Sequence, residues 1–132
     1  MFKLAKIENG RMNVPEPEYI EVKEAEAVVI GEDLVLTAGK LTKCGSTTVP
    51  GYISMGEVSA SATKRVIAAC RIEENQVYEV EVTEAPTSLV PGAKVTISAD
   101  ALGVTATTTS GVAKVVALNG ASAIGDKITV RF

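Results

Sequence analysis

Few side chains in this chain could carry chemistry. Ser61-Ala62-Thr63-Lys64 matches Ser-x-x-Lys, a pattern that pairs a serine nucleophile with a lysine. That chemistry needs the serine at the start of a helix, together with Ser-Asp-Asn and Lys-Thr-Gly motifs. Neither motif is present, so the four residues read as a polar loop leading into a strand. Glu79 and Glu81 fall on one strand face, roughly 7 Å apart from the strand rise, near the separation glycosidases use. A glycosidase cleft usually has stacking aromatics and this chain has no tryptophan, so that pair, like Glu73 with Glu74, reads as solvated.

Absences narrow the chemistry further. With no histidine, Ser-His-Asp, Cys-His and histidine-ligated metal arrangements are excluded. The two cysteines, Cys44 and Cys70, cannot form a four-cysteine zinc site. Cys70 is expected in the core beside Val66 and Ile72, and Cys44, at the end of a hairpin arm, is expected to be the more exposed. No calcium loop, P-loop or Gly-x-Gly-x-x-Gly run occurs. The expectation is a protein that is not an enzyme and takes neither cofactor nor metal.

The elements that would position any surface are strands. The 132 residues fit one domain, and at 4% aromatic content its core must be built from Val, Ile, Leu and Ala. Net charge is −3, with no basic patch beyond Lys64-Arg65, so nucleic acid is not an expected partner. No apolar run approaches the ~20 residues of a membrane helix, and no membrane is expected. The opening Met-Phe-Lys-Leu-Ala-Lys lacks the form of a signal peptide, so folding in a cytoplasm with reduced cysteines is expected. Eight of the sixteen acids precede Leu34 and only Asp100 and Asp126 follow Glu84, leaving the C-terminal third nearly neutral.

Residues 1–17 read as an extended N-terminal arm, because Pro15 and Pro17 disfavour helix and the apolar residues are scattered. Phe2, Leu4, Ile7, Met12, Val14, Pro15 and Pro17 are its candidate partner-binding residues, acting by adding a strand to another chain. Such an arm is expected to be dispensable for folding. Residues 18–132 read as a single β domain. Ala27–Ile30 suggests a strand buried on both faces. Leu34–Cys44 suggests a hairpin with Gly39 in its tight loop. Arg65–Ile72 and Tyr78–Val82 suggest a second hairpin, with Val66, Ala68, Cys70 and Ile72 inward on one arm and Tyr78, Val80 and Val82 inward on the other. Val104–Thr109 suggests a half-exposed strand and Val112–Leu118 a central one. Ile128, Val130 and Phe132 are expected to face the core. Strands every 8–12 residues or so, punctuated by Gly and Pro, imply a small barrel or sandwich.

Gly92-Ala-Lys-Val95, Gly103-Val-Thr-Ala-Thr-Thr-Thr109, Gly111-Val-Ala113 and Gly125-Asp-Lys-Ile-Thr-Val-Arg-Phe132 resemble the C-terminal half of tailed-phage capsid cement, or head decoration, proteins. Asp33–Lys43 followed by Gly51-Tyr-Ile-Ser-Met-Gly56 is similar to their hairpin and next strand. The resemblance covers roughly residues 20–132. It implies an all-β fold, a small β-barrel or β-tulip-like body with an extended N-terminal arm, often trimeric. It also implies a virion protein, assembled in the bacterial host cytoplasm, that binds the outside of an expanded phage capsid. There it would stabilise the shell by bridging subunits, with the major capsid protein and copies of itself as partners. A small β-barrel binding or regulatory module in a bacterial cell, or a minor phage tail component, are the alternatives.

Overall fold

The computed structural model describes residues 1–8 and 15–132. These residues form ten strands: β1 Lys3–Ile7, β2 Glu18–Val22, β3 Asp33–Thr37, β4 Lys40–Lys43, β5 Tyr52–Ser54, β6 Arg65–Arg71, β7 Gln76–Glu81, β8 Lys94–Val95, β9 Ala113–Ala117 and β10 Lys127–Arg131. No helix occurs among the described residues. β2 to β6 close a five-stranded barrel in the order β2-β4-β3-β5-β6. β1 and β7 to β10 form an open sheet ordered β1-β7-β10-β9-β8. The chain therefore starts in the sheet, builds the barrel, and returns to the sheet. The all-β class and the barrel agree with the sequence reading.

Local chemistry explains the better-formed pieces. β3 and β4 join through Ala38 (φ 51°) and Gly39 (φ 80°), both left-handed, as the tightest hairpin turns require. Leu34, Leu41, Val22, Ile67 and Ala69 fill the barrel. Tyr78, Val80, Val82, Val95, Val115, Ile128 and Val130 form the sheet's core, joined by Ile53 from the barrel. Cys44, Ile97 and Ala101, packed by Val35, Val112 and Phe132, make a third cluster from barrel and sheet residues. Burying branched aliphatics at roughly 25 cal/mol per Å² is what a core poor in aromatics must rely on. β9 lies between β10 and β8, matching the central strand expected over Val112–Leu118.

Several expectations need correction. Arg65–Arg71 and Gln76–Glu81 are strands but not a hairpin: β6 closes the barrel against β2 and β5, and β7 pairs β1 and β10. The inward face of β6 is the opposite of the one read. Ile67 and Ala69 are buried and Val66 is 48% exposed. Val66 to Cys70 is apolar at every position, so alternation marks two faces without saying which is inside. The cysteines are also exchanged, with Cys44 buried and Cys70 partly exposed. Ala27–Ile30 contributes one bridge, Val28 to Val58, and leaves Val29 and Ile30 exposed. Val104–Thr109 reduces to bridges from Val104 to Val82 and Ile97.

The N-terminal segment departs most. Its backbone is extended as expected, but β1 pairs the chain's own β7, and Phe2 is buried in the sheet's core. Residues 1–8 are thus built into the body, which removes the basis for treating them as dispensable for folding.

One glycine is fixed by space. A Cβ on Gly111 would lie 2.4 Å from the Lys94 carbonyl carbon and 2.6 Å from the Val95 nitrogen, both backbone atoms of β8. Gly111→Ala is therefore expected to cost about 2 kcal/mol by forcing β8 away from the segment entering β9. A denaturation midpoint equal to that of the parent would show that β8 moves without penalty.

Candidate functional site

The described surface has a strongly apolar recess, a groove of about 530 Å³ where the sheet meets the barrel. Four parts of the chain converge on it. Met1 to Leu4 run along one side, Pro15 and Pro17 along another, Ile30 and Gly31 supply a turn, and Ile53 to Met55 come from β5. Cys70 of β6 and Tyr78 of β7 complete the lining. Phe2, Ile53 and Tyr78 form a buried floor, while Met1, Ile30 and Met55 are about half exposed on the rim, at 57%, 49% and 54%. Exposed large apolar side chains grouped around a recess mark interaction surfaces, whereas isolated ones do not.

Backbone geometry builds the groove. Gly31 has φ +76°, and a Cβ there would meet Met1 Cβ at 2.8 Å and Phe2 O at 3.0 Å. The missing side chain lets the N-terminal segment lie flat against this turn, where the Phe2 N–H donates to Gly31 O at 2.9 Å. On the opposite side the Cys70 thiol donates to Pro15 O at 3.7 Å, tying the proline segment to β6. Burial raises the Cys70 pKa, so the thiol stays protonated and is a poor nucleophile. Desolvation, followed by the nearby Cys70 and Asp33, raises that of Tyr78, whose hydroxyl donates to Gln76.

Beside the groove, β1 is an edge strand of its sheet, with Lys3 and Lys6 exposed along it. Lys6 pairs Glu8 at 3.1 Å, and Lys3 makes no ion pair among the described residues. Lysines on a free edge discourage self-pairing of identical strands. Among the described residues no acidic one lines the groove.

The structure brings together Phe2, Leu4, Pro15 and Pro17 from the sequence-derived candidates. Ile7 pairs Gln76 and does not line the groove. Met12 and Val14 lie outside the described residues. Sequence reasoning missed Ile30, Ile53, Met55, Cys70 and Tyr78, because nothing in their local pattern ties them to the N-terminus. The weighed catalytic candidates are engaged locally. Ser61 Oγ accepts the Thr63 N–H at 3.1 Å in a tight turn, Lys64 pairs Glu21 at 3.7 Å, and Glu79 pairs Lys127 at 3.0 Å. Among the described residues no three His, Cys, Asp or Glu side chains gather as a metal site needs.

A closed five-stranded barrel continued into an open five-stranded sheet, without helices among the described residues, defines the class of this molecule. The same fold occurs in the N base of the head fiber gp8.5 of bacteriophage phi29. That crystal structure matches with a TM-score of 0.57 and 14% identity, covering 88% of this chain and 93% of that one. At this identity the likeness shows the fold. No family model matches the chain, and no curated protein matches it.

Proposed function

We propose that this protein is a structural component of a bacteriophage virion, bound to the outside of the expanded head and bridging neighbouring subunits of the major capsid protein. The observation that carries the reading is the fold shared over nearly the whole of both chains with the base of a phage head fiber. The groove supports it as the contact surface, with Met1, Ile30 and Met55 placed to be covered by a capsid segment. The protein acts as a homotrimer, so each copy can use a modest interface and the shell sums them. A protein that binds the expanded lattice and not its precursor adds its binding free energy to the expanded form alone.

The alternative of a small-ligand module needs convergent polar groups in the recess. The groove offers few: Ser54 Oγ already donates to Gly56 O, Cys70 to Pro15 O and Tyr78 to Gln76, which leaves Lys3 as the one uncommitted polar side chain among the described lining residues. A minor tail component fits the fold equally, and the experiment separates it.

Purified protein is co-sedimented with expanded and unexpanded heads of the phage that encodes it. Saturable binding to expanded heads only is expected. Met55→Asp, which places a charge on the exposed rim, is expected to weaken that binding at least tenfold, about 1.4 kcal/mol, with unchanged melting temperature. Failure of the parent protein to bind either form of head would overturn the capsid reading. Binding that Met55→Asp leaves intact would move the contact away from the groove.

A further inference from the structure

Asp33 opens β3 at the junction of barrel and sheet and is fully buried. Its backbone links three places. Its N–H donates to Ala101 O at 2.9 Å, its carbonyl accepts the Cys44 N–H at 3.0 Å, and it pairs Ile53 of β5. Its carboxyl group, by contrast, is alone: neither oxygen has a hydrogen-bond partner among the described residues. Lys43, at the end of the neighbouring strand β4, pairs with Glu32 at 3.5 Å and forms no ion pair with Asp33. Glu32 also accepts the Val29 N–H at 2.9 Å, and the Asp100 carboxylate accepts from Ser98 and the Leu102 N–H.

An ionised carboxylate in this position would be unpaired and dry, which costs more than any single contact in the fold returns. The groups whose fields reach it do not remedy this. Glu32 is of like charge, the α-ammonium of Met1 favours ionisation but forms no ion pair with it, and the Cys44 thiol and Tyr78 phenol are neutral acids. Cys70 and Glu73 act on Tyr78 rather than on Asp33 itself. The chain has no histidine to share a proton.

We propose that Asp33 is a proton-operated latch: while its carboxyl group is neutral, its backbone holds barrel and sheet together, and loss of that proton to solvent loosens their junction. Desolvation holds its pKa well above the ordinary 3.8, the N-terminal charge offsetting and Glu32 adding to the effect. The unfolded chain ionises near that ordinary value, so the folded state binds more protons above it. The stabilisation from this group is complete below about pH 3.8 and is lost as pH rises through the folded-state value. Its slope is opposite to that of the hydrogen-bonded carboxylates Asp100 and Asp126, whose lowered pKa values remove stability as pH falls.

The test compares parent protein with Asp33→Asn, which keeps the shape and cannot ionise. Urea unfolding is measured from pH 4 to pH 9. The ratio of unfolding constants, parent over variant, is expected to rise by up to tenfold per pH unit above about pH 4 and then level off. Because the amide also finds no hydrogen-bond partner in this site, a second readout uses the unmodified chain: the carboxyl carbon of Asp33, followed by NMR, is expected to stay in its protonated shift range well above pH 4. Amide exchange at Asp33 and Cys44, corrected for intrinsic rate, is expected to lose protection as that carbon titrates. Parallel unfolding curves, or an Asp33 carbon that titrates near pH 4, would overturn the latch. So would titration at higher pH with unchanged protection of both amides.

Discussion

Replacing Phe2 with alanine is expected to lower stability by about 3 kcal/mol, a fall of roughly 10 °C in melting temperature for a chain of this size. Phe2 is only 3% exposed despite standing one residue from the terminus. Its ring lies 5.6 Å from that of Phe132, which lies 6.0 Å from Tyr78. Three of the chain's five aromatics (three Tyr and two Phe) thus meet where the first and last residues close over the sheet. Truncation to alanine opens a cavity among residues that β1, β7 and β10 hold in place, and little can collapse into it. Phe2→Leu, which refills most of the volume, should recover more than half of the loss. Thermal denaturation of the three proteins decides the matter, and a Phe2→Ala protein that melts with the parent would show that the N-terminus is not part of the core. The result also governs how partner binding is probed. Deleting residues 1–17 removes a core side chain and the β1–β7 pairing, so a deletion that fails to bind heads says nothing about contact. Rim substitutions such as Met55→Asp avoid that confusion.

The parts of the fold that were legible are those whose information is local. Ala38-Gly39 specifies its own turn, and Ile128, Val130 and Phe132 are inward because their alternation has polar residues on the other face. β6 was not legible in the same way. Val66-Ile67-Ala68-Ala69-Cys70 has no polar face, so its burial is set by pairing with β2 (Ile20 to Ile67), far away in sequence, and with the preceding strand β5 (Ser54 to Ala69). The separation of β6 from β7 has the same origin. Two alternating runs joined by Glu73–Asn75 look like a hairpin, and only closure of the barrel sends them to different sheets.

The groove was half legible. Apolar residues and prolines near the N-terminus drew attention to Phe2, Leu4, Pro15 and Pro17, and these do meet. Their counterparts could not be found the same way. Ile30 and Met55 look like strand ends beside glycines, and nothing in that local pattern places them beside the N-terminal backbone that Gly31 admits. Asp33 was invisible for a related reason. In the chain it reads as a turn residue after Gly31-Glu32, and its burial arises from the Ala101 and Cys44 hydrogen bonds that carry it into the junction.

Arg65→Ala is expected to destabilise the protein by about 3 kcal/mol, an effect larger than a surface arginine normally shows. The guanidinium reaches four backbone carbonyls and no carboxylate. Nη1 donates to Glu26 O at 2.6 Å and Ser59 O at 2.5 Å, Nη2 to Lys23 O at 2.7 Å, and Nε to Thr63 O at 3.3 Å. Those carbonyls belong to two crossing segments, which also touch through Ala25 N–H to Ser61 O and the paired bonds between Val28 and Val58. One of them contains Ala25 at φ 60°, a conformation that alanine adopts only when its surroundings hold it. A full charge-assisted bond contributes about 1.5–3 kcal/mol, and partial exposure of Arg65 reduces each of the four. Lysine has the charge but not the planar fork, so Arg65→Lys should keep one or two bonds and recover less than half of the loss. Arg65 helps to lower the pKa of Glu24, so part of its effect fades as pH falls through the carboxylate range, and the difference between parent and Arg65→Ala should be flat only from about pH 6 to pH 9, unlike the Asp33 effect. Urea unfolding of the three proteins at two pH values measures all of this. An Arg65→Ala midpoint within about 0.5 kcal/mol of the parent, the usual range for surface changes, would mean that the two segments hold each other without the arginine.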